Sequence, residues 1–315
     1  QKAWELAIAR YPILRTAFNW EEELIQIVYE QGSLECTYHD ISDLPTELAK
    51  KRAIQALQER DRSVVFDLGK SSLLRLHIIK QSDTHYSLLE TMHHAIADGW
   101  SGPLLLHQVH HYYKQLKLHQ AVEITIDPIY LEAQNYYHRH RSAVEQYWFN
   151  QLKTVAGPND LSPLLDKSVD LEAYKHVAKP AQTGIRLENT LYNTLKTLAH
   201  SEGLTLNVLL QFAWHKLLQG YTQDTQTIVG TTVSGRSIPV PGIESSVGLY
   251  INTLPLVIDW SAECTVREQL VQFHKRITEL NDHSFAHLSR LQKAGKRLFH
   301  SLLVFENYPL PEADT

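Results

Sequence analysis

Residues 73–101 read LLRLHIIKQSDTHYSLLETMHHAIADGWS, and this stretch decides the fold prediction for the first half of the chain. Residues 73–80 and 85–92 alternate between apolar and polar side chains, which predicts two strands joined by the polar turn QSDT. Helical spacing returns after Gly99, with Ser101 placed to cap the start of the helix. The sequence therefore predicts a hairpin whose second strand runs directly into a pair of histidines.

The paired histidines predict one imidazole that faces a substrate. Imidazole titrates near neutral pH, so His94 can take a proton from an amine or hydroxyl nucleophile, although a lone histidine at a strand end is more often structural. Neighbouring side chains of an extended segment point in opposite directions. We therefore expect only one of His93 and His94 to face substrate.

Two residues after the histidines leave alternatives open. Asp98 can orient the imidazole, as in a catalytic triad, or pair with an arginine to fix the loop, and the spacing does not choose between these roles. Gly99 can offer its backbone amide to a developing oxyanion. Taken alone, however, Gly99 is better explained as an ordinary turn glycine.

The composition describes an ordinary globular protein, and the length favours two lobes. Of the 315 residues, 43% are hydrophobic and 21% charged, and the net charge of -5 includes no basic cluster that would bind nucleic acid. Cys36 and Cys264 belong to no disulfide or zinc pattern, which favours a cytoplasmic location. No apolar run is long enough to span a membrane. Because the sequence begins at Gln1 within a helical pattern, we expect it to be a fragment.

Helical and strand patterns alternate along both halves, which predicts an α/β fold of two α+β sandwich lobes. We expect an N-terminal lobe over residues 1–160, a polar linker over 161–184, and a C-terminal lobe over 185–315 that is incomplete at its end. In the C-terminal lobe the patterns predict three strands, over residues 227–236, 247–260 and 298–309.

Three histidines of the helix after Gly99 raise the alternative of a metal site. His107 and His111 lie one turn apart and His110 is adjacent, but zinc needs three or four convergent ligands and no His-Glu-x-x-His or cysteine pair is present. The sequence also contains no phosphate-binding glycine loop, Gly-x-Ser-x-Gly turn or dinucleotide motif. We therefore expect no metal, and a group transfer without a cofactor of the domain's own.

Several motifs together resemble the condensation domains of nonribosomal peptide synthetases, which are relatives of chloramphenicol acetyltransferase. MHHAIADGWS at 92–101 is similar to the family's His-His-x-x-x-Asp-Gly motif, and RYPILRTAF at 10–18 to its Arg-His-x-x-Leu-Arg-Thr-x-Phe segment. VSGR at 233–236, VGLYINTLPL at 247–256 and LFHSLLVFENYP at 298–309 match later segments in order and spacing. The resemblance therefore covers essentially the whole chain.

This resemblance implies two chloramphenicol acetyltransferase-like lobes in a V-shaped arrangement with a central tunnel. An upstream donor carrier protein and a downstream acceptor carrier protein would each bring a thioester on a phosphopantetheine arm, with an adenylation domain in the same or a partner chain. The acceptor amine would attack the donor thioester carbonyl and form a peptide bond. The resemblance thus implies an acyltransferase of secondary metabolite biosynthesis.

The resemblance also implies roles for residues of the His-His motif. His94 would position or deprotonate the α-amine, or stabilise its developing charge, and His93 would hold the loop. Gly99, Trp100 and Ser101 complete the motif, and we expect Trp100 and Ser101 to support the site.

Residues outside this motif receive roles from the resemblance as well. The family's counterpart of Asp98 pairs with the arginine that matches Arg236, which favours an architectural role for Asp98. Asn252 would face the tunnel, and Arg15 would be structural or lie near the contact between the lobes. Tyr11 and Pro12 depart from the family pattern at 10–18.

Other functions of the same fold stay open. An ester-forming acyltransferase would use an alcohol in place of the amine, and a catalytically inactive domain would only dock carrier proteins. The intact HHAIADG at 93–99 argues against inactivity, and the flanking residues are less similar to the family's racemising relatives. Amine and alcohol acceptors are not separated by the sequence.

Overall fold

The fold is that of a computed structural model, which describes residues 1–19, 21, 24–166, 169–173, 180–292 and 296–307. Helices and strands alternate along it, which confirms the predicted mixed α/β class. The contacts divide the chain into two compact units. The first unit comprises Gln1–Tyr136 and Pro239–Tyr250, and the second comprises Tyr137–Ile238 and Ile251–Asn307.

These units do not coincide with the predicted lobes. The division falls between Tyr136 and Tyr137 instead of at residue 160, and residues 239–250 belong to the first unit. In the described part of the predicted linker, residues 161–184, the regular structure is the short 3-10 helix Ser162–Leu164. The boundaries of separately folding lobes stay a prediction.

The first unit contains a three-stranded sheet, a two-stranded hairpin and the helices that pack on them. Its elements are α1 (Lys2–Arg10), β1 (Thr16–Asn19), β2 (Ile25–Val28), β3 (Glu35–Asp40), α2 (Glu47–Arg62), β4 (Leu74–Lys80), β5 (Tyr86–Met92), α3 (Ser101–Lys117) and the start of α4 (Ile129–Gln151). In the larger sheet β4 is central, parallel to β3 and antiparallel to β5. The predicted hairpin over residues 73–92 is confirmed.

The alternation along β4 determines which side chains reach the core. Leu74 and Leu76 are buried among the apolar residues of α1 and α3, while Arg75 and His77 point to the opposite face of the sheet. Helix α1 packs on α3, and each fully buried apolar side chain stabilises the unit by about 1.5–3 kcal/mol. This core fixes the end of β5, from which the paired histidines follow.

The second unit contains the end of α4 and a three-stranded sheet covered by helices. Its other elements are α5 (Asn189–Ser201), α6 (Leu206–Thr222), β6 (Gln226–Val233), β7 (Asn252–Asp259), α7 (Val266–Asp282), α8 (Leu288–Leu291) and β8 (Leu302–Leu303). The sheet order is β7-β6-β8, with β7 antiparallel and β8 parallel to β6. A reciprocal capping box between Thr265 and Glu268 begins α7.

The three strands predicted in the second half are longer than the observed ones, and the strand predicted over 227–236 ends at Val233. The strand predicted over 247–260 begins only at Asn252, because the backbone of residues 247–250 makes hydrogen bonds to side chains of the first unit. The strand predicted over 298–309 is limited to Leu302–Leu303, and its residues 308–309 lie outside the described residues. Among the described residues no helix is both long and apolar enough to cross a membrane. The cytoplasmic location stays a prediction.

A buried histidine makes the second unit sensitive to acid. His215 on α6 is fully buried, its Nδ1 is 2.8 Å from Thr227 Oγ1, and burial lowers the pKa of His215 from 6.5 to about 3. Below pH 6.5 the His215 imidazole therefore binds a proton in the unfolded chain but not in the folded unit. The free energy of unfolding is highest above pH 6.5 and falls as the pH drops toward 3.

We expect the free energy of unfolding of this unit to fall by about 3 kcal/mol between pH 7 and pH 4. The variant His215→Gln should lose this pH dependence. Urea unfolding at both pH values, followed through hydrogen exchange of peptides from α6, measures the difference. Parallel losses of stability in the wild type and His215→Gln would show that His215 is not the cause.

Candidate active site

The paired histidines lie in a tight turn between β5 and α3. The backbone N–H of His93 donates to the carbonyl of Leu73 at 2.9 Å, and the N–H of Ile96 donates to the carbonyl of His93 at 3.2 Å. Ile96 and Ala97 are buried in the core of the first unit. The turn is therefore fixed to the sheet at one side and to the core at the other.

The two imidazoles have different surroundings, although residues 94–96 form a turn and not the extended segment on which that expectation rested. His93 is half-buried, and its Nδ1 accepts the backbone N–H of Ala95 at 3.1 Å, which fixes the tautomer with the proton on Nε2. His94 is exposed, and within the described part of the chain its imidazole makes no hydrogen bond. His94 is thus the ring that is available to an added reactant.

Asp98 uses both carboxylate oxygens to hold the backbone. Its side chain is buried, and Oδ1 accepts the backbone N–H of Ser101 at 2.9 Å at the start of α3. Oδ2 accepts the backbone N–H of Tyr250 at 3.0 Å. Asp98 therefore ties the histidine turn to residues 239–250, which we call the cross-chain segment.

Ser101 and Trp100 hold the same cross-chain segment. The single proton of the Ser101 hydroxyl is shared between Asp98 Oδ1 at 2.8 Å and the Gly248 carbonyl at 2.7 Å, and the hydroxyl accepts the N–H of Gly248 at 3.0 Å. The indole N–H of Trp100 donates to the carbonyl of Glu244 at 2.9 Å. Three residues of the DGWS stretch thus carry the contacts to this segment.

The prediction that Ser101 caps α3 is wrong. Ser101 is the first helical residue, the preceding residue makes no side-chain capping bond, and the Ser101 hydroxyl contacts the cross-chain segment. Asp98 satisfies the N–H of Ser101, which is the task that a capping side chain usually performs.

Gly99 and Gly248 differ in why a glycine is present. Gly99 is exposed and does not have a left-handed φ, so the backbone conformation at this position does not require glycine. A Cβ on Gly248 would lie 2.5 Å from Tyr130 Cδ2, so close packing of the cross-chain segment requires glycine at 248. An oxyanion role for the Gly99 amide stays a prediction.

The predicted site residues outside the motif are held by their own units. In the first unit Arg15 is buried, and its guanidinium donates to the carbonyl of Tyr29 on the segment after β2. In the second unit the amide of Asn252 donates one proton to the carbonyl of Ser284 and the other to that of Ala286, each at 2.7 Å. Asn252 therefore holds the turn after α7, and its contact with substrate stays a prediction.

Arg236 is buried in the second unit and follows the end of β6, and its backbone N–H donates to Ser234 Oγ at 3.3 Å. Its pairing with Asp98 stays a prediction. Among the described residues no three His, Cys, Asp or Glu side chains converge so that they could hold a metal ion. The expectation of a metal-free mechanism stays a prediction as well.

Sequence reasoning missed a buried ion pair near the histidine turn. Arg75 Nε donates to Asp61 Oδ1 at 2.8 Å, and both side chains are less than a tenth exposed. Burial would raise the pKa of Asp61, but the hydrogen bonds from Arg75, Thr91 and His77 outweigh it and lower the pKa to about 2. The available signal was a charged residue at a buried, alternating position of β4.

Comparison with known proteins decides the family. The sequence profile of the condensation domain matches residues 1–315. The chain belongs to the condensation domain family. It is 38% identical to N-(5-amino-5-carboxypentanoyl)-L-cysteinyl-D-valine synthase of Amycolatopsis lactamdurans over 98% of the chain and 9% of that protein. It is 30% identical to bacitracin synthase 3 of Bacillus licheniformis over 97% of the chain and 5% of that protein.

This condensation domain therefore spans less than a tenth of these curated relatives. Among solved structures, the starter condensation domain of rhizomide synthetase RzmA matches 96% of the chain and 68% of its own, with a TM-score of 0.70 at 18% identity. The first condensation domain of the calcium-dependent antibiotic synthetase matches 96% and 69%, with a TM-score of 0.68 at 18% identity. These likenesses confirm the chloramphenicol acetyltransferase-like fold.

The predicted enzyme class is confirmed with the family. The domain is an acyltransferase of the kind that forms amide bonds in nonribosomal peptide synthetases. Condensation domains of such synthetases work together with carrier and adenylation domains.

Proposed function

We propose that this condensation domain joins a donor acyl or peptidyl thioester to the α-amine of an acceptor aminoacyl thioester, with both groups on phosphopantetheine arms of carrier proteins. The acceptor nitrogen bonds to the donor carbonyl carbon, and the donor carbon–sulfur bond breaks. The amine loses one proton, and the donor thiolate takes one. No oxidant, reductant or nucleotide is consumed, because the thioester already carries the activation.

One observation carries this proposal. The His94 imidazole is exposed and makes no hydrogen bond among the described residues. It directly follows His93, whose imidazole is fixed by the backbone N–H of Ala95. A fixed turn that presents one free imidazole suits proton transfer from an amine that is held close to a carbonyl carbon. His94 is thus the proposed catalytic residue, and His93 and Asp98 hold it in place.

The upstream and downstream carrier proteins and an adjacent adenylation domain are the proposed partners. The name of one curated relative supports this setting, since the product in that name joins an acyl group, cysteine and valine in one chain. The phosphopantetheine arms belong to the carriers, so the domain needs no resident cofactor for the proposed step.

The acceptor can be tested directly. In the full-length protein, donor and acceptor carriers are pre-loaded with a panel of the common amino acids, ATP is omitted, and a chelator is present throughout. We expect amide products with aminoacyl acceptors although no ATP is present, and none when free amino acids are added to empty carriers without ATP.

Acceptor carriers loaded with the α-hydroxy acids that correspond to these amino acids distinguish an amide-forming from an ester-forming acyltransferase. Ester formation that exceeds amide formation would replace this proposal with the ester-forming alternative. Loss of turnover in chelator, with the fold intact, would contradict the metal-free mechanism.

A further inference from the structure

A single aromatic ring connects the buried ion pair with the histidine turn. The guanidinium carbon of Arg75 lies over the ring of Phe66, 4.0 Å from its centroid. The same ring packs edge-on against the imidazole of His93, with centroids 5.9 Å apart and planes at 83°. Phe66 therefore contacts both a buried cation and the first histidine of the motif.

The cation is held rigidly, so it gives the ring a fixed support. Arg75 donates from Nε to Asp61 Oδ1 and from Nη2 to the carbonyls of Asp61 and Val64, at 3.0 and 3.1 Å. Asp61 lies in the last turn of α2, so these bonds join that helix end to strand β4. A guanidinium with three hydrogen bonds cannot move away from Phe66 without breaking them.

The orientation of His93 in turn determines the path of the backbone through His94. His93 Nδ1 accepts the N–H of Ala95, so the backbone just after His94 is bound to the imidazole of the residue just before it. A rotation of His93 would release Ala95 and shift His94. Packing of Phe66 against His93 opposes this rotation.

We propose that Phe66 and Arg75 are positioning residues for the condensation reaction, which act on His94 through His93. This inference rests on the proposed function of His94. It predicts that loss of the Phe66 ring lowers the rate of the chemical step while the binding of loaded carriers is unchanged.

The test compares Phe66→Leu, Phe66→Tyr and the matched control Phe18→Leu in the full-length protein. Phe18 is another half-buried phenylalanine at the edge of the same core. We expect Phe66→Leu to lower kcat about tenfold at unchanged KM, because a misplacement of about 1 Å can cost about a hundredfold and the loss of one ring contact should shift His94 by less. Phe66→Tyr should restore kcat, and Phe18→Leu should leave it unchanged.

Hydrogen exchange of peptides that cover residues 93–97 supplies a second readout. We expect faster exchange in Phe66→Leu than in Phe18→Leu at equal melting temperature. Equal kcat and equal exchange in these two variants would overturn the proposal, as would a loss of kcat that only follows a loss of melting temperature. If the wild type forms no amide, the proposed function fails, and the exchange data still decide whether Phe66 positions the turn.

Discussion

His94→Ala is expected to fold like the wild type and to lose about a hundredfold of its single-turnover rate of amide formation. The imidazole is exposed and makes no hydrogen bond among the described residues, so truncation leaves no buried group unsatisfied. The rate should fall because the amine then loses its proton without a positioned acceptor. Intact-protein mass spectrometry of loaded carriers after rapid quenching measures this rate.

His110→Ala is the matched control, since His110 is another exposed histidine, on the following helix. It should retain the wild-type rate. An undiminished rate in His94→Ala would remove His94 from the mechanism and leave proximity of the two carrier arms as the source of rate. Unfolding of His94→Ala would instead make His94 a structural residue.

Asp98→Ala is expected to lower the free energy of unfolding by about 4 kcal/mol, because it leaves buried donors without a charged acceptor. The backbone N–H groups of Ser101 and Tyr250 both donate to this carboxylate. Urea unfolding, followed through hydrogen exchange of peptides from residues 98–105 and 246–250, measures the loss in both connected parts.

Two further variants serve as an intermediate case and as a control for Asp98→Ala. Asp98→Asn keeps one acceptor oxygen but brings its NH2 group toward the N–H of Tyr250, so its stability should lie between those of wild type and Asp98→Ala. Asp83→Ala removes an exposed carboxylate and should change stability by less than about 0.5 kcal/mol. An Asp98→Ala protein with wild-type stability and no activity would favour the triad-like role.

Local patterns predicted the part of the fold that local interactions determine. The alternation over residues 73–92 predicted the hairpin, since one face of β4 enters the core and the other does not. The same alternation ends at the histidines, since the chain turns at residues 94–96, and the expectation that only one of His93 and His94 faces substrate stays a prediction. The helical spacing predicted after Gly99 corresponds to α3, Ser101–Lys117.

The remaining features depend on residues that are far apart in the chain. Residues 247–250 have the composition of a strand, but their backbone groups bond to Asp98 and Ser101, so no strand forms there. Periodicity carries no information about such a partner. The division of contacts inside α4 is likewise invisible to periodicity, because the helical pattern continues across it.

The residues that pack behind the histidine turn could be predicted from residue types only in part. Arg75 and His77 occupy alternate positions of a buried strand, which indicates that a carboxylate faces them. The sequence contains many acids that could fill this role, and only the fold selects Asp61. Phe66 was indistinguishable from any core phenylalanine until its contacts with Arg75 and His93 were seen.

The central claim is that this domain moves the donor acyl group onto the acceptor amine. The most direct test records the masses of both carriers in a single turnover of the full-length protein, with the donor and acceptor loaded from the panel of common amino acids. We predict that the donor carrier returns to its unloaded mass while the acceptor carrier gains the donor acyl group, and that both changes slow together in His94→Ala. The account would be contradicted if the donor carrier lost its acyl group while the mass of the acceptor carrier stayed constant. It would also be contradicted if the masses of both carriers stayed unchanged.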